Sequence, residues 1–178
     1  GGIVANKKYP FNFIYENIII QNNILSLCIK YKCERVIFLG SSCIYPKKWK
    51  HPFSEKDLAI SSLEETNEYY AIAKICGLKL CEAYNKQYNN RYPKFITIVP
   101  TNLFGDNDNY NYQNSHVLAA LLRKFYEAKK KNSPSVEVWG SGTCKREFLH
   151  SEDAANMIID ILETDHKKIS NFTKDNYS

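Results

Sequence analysis

The chain of 178 residues is 44% hydrophobic and 24% charged, with a formal net charge of +5, which is typical of a globular domain that buries a sizeable core. The densest basic run, at residues 129–131, has no interleaved aromatic side chains, which argues against a nucleic-acid partner. No apolar stretch approaches the ~20 residues of a membrane span, so we predict no membrane partner.

Six cysteines stand at positions 28, 33, 43, 76, 81 and 144. None belongs to a Cys-x-x-Cys pair, and no histidine lies near them at zinc-ligand spacing, so we predict no metal site. Because no signal peptide is visible, we expect reduced thiols and a cytoplasmic location. All of them except Cys43 are predicted to be small buried hydrophobes.

The first half of the chain predicts alternating helices and strands. A short loop up to residue 10 precedes a helix from Phe11 to about Lys32 with apolar side chains on two faces. Two such faces predict burial against a sheet on one side and another helix, such as one of a second subunit, on the other. The unbroken apolar run from Arg35 to Gly40 predicts a parallel strand buried on both faces. After a polar loop from Lys47 to about Glu65, a second helix extends to about Tyr88, with Gly77 allowing close backbone approach.

The second half continues the same alternation. A strand from Lys94 to Val99 ends at a proline, and a polar loop follows residue 105. The remaining predicted elements are a helix from His116 to about Lys130 with Ser115 as N-cap, a strand at Val136–Trp139, an extended piece at Arg146–His150 and a helix from about Ser151 to Glu163. This order predicts an α/β fold with a parallel sheet and right-handed crossovers.

Tyr70 and Lys74 lie four residues apart on the second predicted helix, so they share a helix face. We expect the ammonium to favour the phenolate and to lower the tyrosine pKa from its ordinary ~10. A hydroxyl such as that of Ser41, at the end of the preceding strand, would orient a substrate oxygen for acid–base chemistry. The same spacing arises by chance in many helices, and the alternative is that Tyr70 packs, like Tyr69 beside it.

The carboxyl ends of the two predicted strands are where an open α/β sheet binds its ligands. These ends are residues 40–43 and 99–102. On extended backbone, residues two apart face the same way, so Ser41 and Cys43 are expected to point at one ligand. As a thiolate, Cys43 would be a nucleophile or a base; the alternative is a small buried hydrophobe.

Basic and aromatic residues of the second half are candidates for a nucleotide site. Arg123, Lys124, Trp139 and Arg146 would form an aromatic-edged pocket for a nucleotide diphosphate. The alternative for the first two is a solvated helix face. His116, at a helix start, is either a proton donor or an ordinary surface residue.

In combination, these segments resemble the GDP-L-fucose synthase family of the extended short-chain dehydrogenase/reductase superfamily. The matching segments are residues 38–46 (FLGSSCIYP), 70–74 (YAIAK), 100–105 (PTNLFG), 114–117 (NSHV), 139–143 (WGSGT) and 146–150 (REFLH). Tyr-x-x-x-Lys marks only the superfamily, whereas Cys43 near Ser41, together with Asn-Ser-His, indicates this family. The resemblance implies a Rossmann-type doubly wound parallel sheet.

The resemblance also implies a role for each matching residue. Ser41, Tyr70 and Lys74 would be the reductase triad. Cys43 would be the epimerisation base and His116 the acid. NADP(H) would be contacted by Leu39, Gly40, Ser41, Ser42, Lys74, Pro100, Thr101, Asn102, Leu103 and His116, and the GDP-sugar by Lys124, Trp139 and Arg146. The implied reaction is NADPH-dependent 3,5-epimerisation and 4-reduction of GDP-4-keto-6-deoxy-D-mannose to GDP-L-fucose, in a homodimer.

Two features depart from the family pattern. Position 124 is often arginine in such enzymes, and a lysine does not make the bidentate phosphate contact. The glycine-rich phosphate-binding turn, Gly-x-x-Gly-x-x-Gly, is absent, so we expect the chain to be the middle of the enzyme. Residues 1–105 would then end the dinucleotide-binding domain, and residues 106–178 would be part of a substrate-binding region interleaved with it.

Two alternatives stay open. One is another nucleotide-sugar enzyme of the superfamily, such as a 4-epimerase or a dehydratase, which does not need Cys43 and His116 as a pair. The other is a non-catalytic fragment that only associates with other chains through its two-sided helix. The missing glycine-rich turn favours this second alternative.

Overall fold

The computed structural model describes residues 2–47, 52–58, 61–88, 94–112, 115–143 and 145–169. Within these ranges the elements follow in the order α1 (Ile3–Lys8), α2 (Pro10–Lys30), β1 (Val36–Leu39), α3 (Glu68–Gln87), β2 (Phe95–Ile98), β3 (Asn102–Phe104), α4 (Val117–Lys130), β4 (Phe148–His150) and α5 (Ser151–Glu163). The strands form two parallel pairs, β1 with β2 and β3 with β4. The predicted α/β fold with parallel strands is confirmed.

The N-terminal residues are helical where the sequence predicts a loop. α1 occupies that segment, so the loop prediction is wrong. Tyr9, at φ −127° and ψ 51°, separates α1 from α2. Pro10 is the first residue of α2, where its fixed φ favours a helix start rather than a break in helical structure.

α3 packs closely against α2 and β1. A Cβ atom at Gly77 would overlap the Phe38 ring of β1 and lie 2.7 Å from the Gln21 side-chain oxygen of α2. Gln21 Nε2 donates a 3.0 Å hydrogen bond to the carbonyl oxygen of Ala73 on α3. Both residues are buried, so water does not compete for this bond. The predicted close approach at Gly77 is confirmed, and it sets the height of α3 above β1.

β1 and α2 are less buried than the sequence predicts. Leu39 is 40% exposed and the rest of β1 is half-buried, so the prediction of a strand buried on both faces is wrong. Of the two apolar stripes of α2, Leu25 is buried, whereas Ile20 and Ile24 are 61% and 53% exposed. These side chains line an open groove along β1 together with Phe38. The groove is open because no strand within the described ranges pairs with that edge of β1.

The second half differs from the predicted strands and caps. Asn102–Phe104 is a strand because β4 lies beside it in parallel register, although the sequence predicts no strand there. Val136–Trp139 is not a strand, since no described strand lies alongside it to pair. The N-cap of α4 is His116, so the prediction of Ser115 as the cap is wrong. The predicted helix at Ser151–Glu163 is confirmed.

Cysteine burial also differs from the prediction. Cys81 is buried as predicted, whereas Cys28, Cys33 and Cys76 are half-buried, so the prediction is wrong for these three. Cys144 lies outside the described residues. Across the described ranges, no helix combines the length and the apolar character that crossing a bilayer requires, and no three potential metal ligands cluster.

Candidate active site

The carboxyl end of β1 turns sharply into the first group of candidate residues. The Gly40 amide donates a 2.8 Å hydrogen bond to the carbonyl oxygen of Ile98 on β2, and a Cβ atom at Gly40 would lie 3.1 Å from Val99 Cγ2. Ser41 is extended, at φ −154° and ψ 144°, and caps a 3₁₀ helix over Ser42–Ile44. Close packing against β2 therefore fixes where the turn begins.

The 3₁₀ helix changes how Ser41 and Cys43 meet. The sequence predicts extended backbone through both residues, which is wrong for Cys43. The two residues are nevertheless brought together, because Ser41 Oγ accepts a 3.5 Å hydrogen bond from the Cys43 amide. Ile44, fully buried, anchors the turn.

Tyr70 and Lys74 on α3 lie over this turn. Lys74 Nζ donates a 3.0 Å hydrogen bond to the carbonyl oxygen of Leu39, the last residue of β1. The same ammonium is 5.7 Å from the centre of the Tyr70 ring. The Tyr70 hydroxyl interacts with Ser41 and Cys43, which both act on its pKa. The structure therefore brings together Ser41, Cys43, Tyr70 and Lys74, as the sequence predicts.

The pKa of Tyr70 is raised, not lowered. Burial is the largest cause and the neighbouring Cys43 thiol adds to it, while the hydrogen bond with Ser41 opposes both. The predicted lowering by Lys74 is wrong, because the ammonium is directed at the Leu39 carbonyl and burial penalises the phenolate. Tyr70 therefore keeps its proton at neutral pH and has one to donate, although the raised pKa makes it a weaker acid than a free tyrosine.

Burial acts on the other two titratable groups as well. It is the main cause that lowers the pKa of Lys74, and Cys43 opposes it. Burial also raises the pKa of the Cys43 thiol, against smaller lowering effects of Ser41, the Cys43 backbone and Lys74. At neutral pH Cys43 is therefore a thiol in this structure, and it needs a further influence to become a base.

The carboxyl end of β2 contains the second group of predicted cofactor residues. Thr101 Oγ1 is buried and has no hydrogen-bond partner in the part of the chain that the structure describes. Asn102 is already engaged, since its Nδ2 donates a 3.0 Å hydrogen bond to the carbonyl oxygen of Glu147. Pro100 is half-buried and Leu103 is 41% exposed. Thr101 is the residue of this group that most needs a partner.

His116 lies apart from the hydrogen bonds of the first group. It is exposed, and its side chain makes no cap for α4. None of the described contacts joins it to Cys43 or Tyr70, so its role as an acid stays a prediction. The neighbouring Ser115 Oγ is buried without a partner among the described residues, and Asn114 of the same motif lies outside them.

Lys124 and Trp139 meet, as predicted for a basic, aromatic-edged pocket. Lys124 Nζ is 4.8 Å from the centre of the Trp139 ring and donates a 3.1 Å hydrogen bond to the carbonyl oxygen of Glu137. Trp139 is 74% exposed and precedes a turn in which Gly140 has a φ of 89°. Arg146 is also exposed, and its described side-chain bond is to the carbonyl oxygen of Lys145 at 3.1 Å. Arg123 instead pairs with Glu127 at 2.9 Å, which favours the alternative of a solvated helix face for it.

Two residues that position the site were not singled out in the sequence. The Phe13 ring lies edge-on to Tyr70, with 6.1 Å between ring centres, and Gln21 ties α2 to α3. Gln21 offers a usable signal, because an amide within an apolar helix face needs a buried partner. Phe13 offers none, since it is one of several aromatic and aliphatic residues at the start of α2.

Comparison with known proteins gives consistent matches along the chain. Residues 1–172 match the NAD dependent epimerase/dehydratase family. The GDP-L-fucose synthase of Escherichia coli strain K12 is 52% identical over 167 residues, covering 94% of this chain and 51% of that protein. Among solved structures, a GDP-L-fucose synthetase from Naegleria fowleri bound to NADP has a TM-score of 0.78 at 34% identity, covering 91% of this chain and 52% of that one. MlghC, a GDP-mannoheptose C4 reductase from Campylobacter jejuni with NADP bound, has a TM-score of 0.75 at 35% identity, covering 93% and 56%.

The chain thus spans about half the length of these relatives. The matches include the strand–turn–helix segment that brings Ser41, Cys43, Tyr70 and Lys74 together, and they confirm the resemblance drawn from the sequence. By sequence and by fold, the chain belongs to the NAD dependent epimerase/dehydratase family.

Proposed function

We propose that the full-length protein catalyses the NADPH-dependent 3,5-epimerisation and 4-reduction of GDP-4-keto-6-deoxy-D-mannose to GDP-L-fucose. The observation that supports this most is the meeting of Ser41, Cys43, Tyr70 and Lys74 at the carboxyl end of β1. The GDP-L-fucose synthases of Escherichia coli and Naegleria fowleri among the relatives support the same substrate, and NADP bound to the latter supports the cofactor.

Reduction of the C4 ketone needs a proton for the oxygen atom. The Tyr70 hydroxyl is protonated at neutral pH, as a phenol of ordinary pKa ~10 already is, and it gives that proton to the C4 oxygen, because the alkoxide formed on reduction is more basic than a phenolate. The Ser41 hydroxyl donates a hydrogen bond to the same oxygen and holds it in line. NADPH, when bound, supplies the hydride.

Some of the residues predicted to hold NADP(H) fit that group. The buried Thr101 hydroxyl has no partner in the described structure, and a bound polar ligand at the end of β2 would satisfy it. Leu39 and Ser42 are exposed at the end of β1, where a ligand can reach them. We assign cofactor contacts to residues 39–42, Lys74 and residues 100–103, and nucleotide-sugar contacts to Lys124, Trp139 and Arg146.

Epimerisation uses the same carbonyl. The protons on C3 and C5 flank the C4 ketone, and they become acidic when Ser41 and Tyr70 hydrogen-bond to its oxygen. Cys43 removes such a proton and His116 returns one to the opposite face. Burial raises the pKa of Cys43, so the thiolate must form as substrate binds; Lys74 and Ser41 already act in that direction.

A C4 reductase without epimerase activity is the second candidate. The raised pKa of Cys43 favours it, because a neutral thiol is a weak base. The Campylobacter jejuni relative is itself named a C4 reductase. In this alternative Cys43 is a packing residue and only Ser41, Tyr70 and Lys74 take part in the reaction.

Replacing Cys43 by serine in the full-length protein separates the two candidates. The hydroxyl of Cys43→Ser is far less acidic than a thiol of pKa ~8.5, so we expect deuterium uptake at C3 and C5 to fall by ~10²-fold or more. NMR of the product formed in deuterated water measures this uptake, and un-epimerised, reduced sugar should accumulate.

The half-buried Cys76 on α3 offers a matched control for this experiment. Cys76→Ser should give product of normal stereochemistry and normal deuterium content. The same normal product from Cys43→Ser would exclude Cys43 as the base and favour the reductase without epimerase activity.

For the assembly we propose a homodimer that pairs α2 and α3 with their copies. Outside the groove beside β1, α2 exposes Tyr15 and Ile19, at 53% and 39%, and α3 exposes Ile72 and Leu80, each at 40%. Exposed apolar faces of this kind mark protein interfaces. A non-catalytic protein that acts only by association would use the same faces, but it would bind no nucleotide sugar.

The cytoplasmic location and the domain boundary at residue 105 stay predictions.

A further inference from the structure

Cys28 and Cys33 meet across the end of α2. Beyond the helix, Lys32 has a left-handed φ of 54°, and its amide donates a 3.1 Å hydrogen bond to the carbonyl oxygen of Ile29. The Cys33 amide donates a 3.0 Å hydrogen bond to the carbonyl oxygen of Cys28. This pair of bonds is the Schellman motif, which brings together the side chains of the residues that occupy these two cysteine positions.

The separation of the two backbones suits a disulfide. The hydrogen bond between Cys33 and Cys28 limits the distance between their Cα atoms to at most about 7 Å by covalent geometry. Disulfides usually join Cα atoms about 4.4–6.8 Å apart. The two side chains also interact directly, since Cys33 acts on the Cys28 thiol through a hydrogen bond and through its charge. Both cysteines are half-buried, so a small reagent reaches them.

The surroundings give the two thiols different parts in an exchange reaction. Cys28 packs against the core cluster that contains Leu25 and Phe95. The positive charge of Lys94 lowers the pKa of Cys28, although burial raises it more. Cys33 lies beyond the end of the helix and is not packed against this cluster, so we assign it the first attack on a reagent. Cys28 then lies next to the modified Cys33 and reacts with it in the second step.

We propose that Cys28 and Cys33 are a dithiol modification site that closes to an intrachain disulfide by exchange with a low-molecular-weight disulfide such as oxidised glutathione. Cys33, having released its proton to solvent, attacks one sulfur of the oxidant; the oxidant's S–S bond breaks, and one glutathione thiolate leaves and takes up a proton. Cys28, likewise deprotonated, attacks the Cys33 sulfur of the mixed disulfide and displaces the second glutathione. Two protein thiols are oxidised and one glutathione disulfide becomes two thiols.

Peptide mapping of the full-length protein tests this site without any substitution. The protein is equilibrated with oxidised glutathione under native conditions, alkylated, and digested with trypsin, which cuts after Lys30 and Lys32, between the two cysteines. A closed disulfide holds together the peptide that ends at Lys30 and the peptide that begins at Cys33. We expect this linked pair to be at least ~10-fold more abundant than any other linked cysteine pair, and to separate on reduction.

Two variants sharpen the result. Cys76→Ser, which alters another half-buried cysteine, should leave the linked pair unchanged. Cys33→Ser should abolish it and leave Cys28 as a free thiol or a glutathione adduct. Recovery of Cys28 and Cys33 on separate peptides, whether alkylated or each bearing glutathione, would overturn the proposal, as would a linked pair that persists in Cys33→Ser.

Discussion

The cluster at the end of β1 and the pair formed by Lys124 and Trp139 are held by different means. Around Tyr70, α3 is fixed by the buried hydrogen bond from Gln21 and by the close contact at Gly77. Lys124, by contrast, has one bond to a carbonyl oxygen and a contact with the face of Trp139, which is 74% exposed. An exposed cation–π contact contributes only about 0.5–1 kcal/mol.

The difference follows from what each region does in the proposed reaction. Acid–base chemistry requires a fixed geometry to within a fraction of an ångström, which packed secondary structure provides. Recognition of a nucleotide by exposed side chains requires a less precisely fixed geometry, because those side chains adjust when the ligand binds. Substitutions in the two regions should therefore differ in kind: those in the packed region reduce stability or the rate of the chemical step, and those in the exposed region weaken binding.

The largest expected effect on stability is the response of the packed region to alkaline pH. Burial raises the pKa of Cys81 from 9.0 to about 11. Since the folded protein then holds this proton more tightly than the unfolded chain, the stabilisation is full below pH 9. It is lost as the pH rises from 9 to 11, by roughly 2–3 kcal/mol. Urea unfolding of the full-length protein across this pH range measures the loss. The free energy of unfolding of Cys81→Ala should fall less over the same pH range, and a pH dependence equal to that of the wild type would contradict the prediction.

A methyl group at Gly77 should have the next largest effect. The added Cβ of Gly77→Ala would overlap the Phe38 ring and crowd Gln21, so we expect a loss of about 1–3 kcal/mol in the free energy of unfolding. Ala83 is exposed on the same helix, and Ala83→Leu should change stability by less than about 0.5 kcal/mol. Denaturant unfolding of both variants makes the comparison, and equal stability of the two would show that α3 is not held by this contact.

Lys124 should show the smallest effect on stability. Lys124→Ala removes an exposed contact with Trp139, so the free energy of unfolding should change by less than about 1 kcal/mol. If Lys124 binds the nucleotide sugar, the KM of the full-length enzyme should rise while kcat stays unchanged. Lys129→Ala, an exposed position in the last turn of α4, is the control and should change neither. A lower kcat with unchanged KM would place Lys124 in the chemical step instead.

The sequence predicts best those features that depend on local spacing. Tyr70 and Lys74 share a face because they are four residues apart on a helix, and β1 is recognisable as an unbroken apolar run. Ser41 and Cys43 are expected at the carboxyl end of β1 because they follow this apolar run directly in the sequence. Helix α5, with its apolar periodicity and acidic first turn, is predicted to the residue.

Features that depend on neighbours distant in the chain are predicted less well. Val136–Trp139 has strand-forming residues but no described partner strand, whereas Asn102–Phe104 becomes a strand because β4 lies beside it. The spacing alone predicts a lowered pKa for Tyr70, because it shows the nearby ammonium and does not show the burial that raises the pKa. The sequence shows Gln21 on an apolar helix face that requires a buried partner, but it does not show that this partner is Ala73, 52 residues away.

The central claim is that Tyr70 is the acid of the reaction, and a comparison of two adjacent tyrosines tests it most directly. Tyr70→Phe removes the hydroxyl at the Ser41–Cys43 turn, whereas Tyr69→Phe removes one from a side chain that is 49% exposed. With NADPH and the keto-sugar, we expect kcat of the full-length Tyr70→Phe enzyme to fall by ~10²–10⁴-fold, and that of Tyr69→Phe to stay within a factor of about two. Retention of more than about a tenth of the wild-type rate by Tyr70→Phe would contradict the claim.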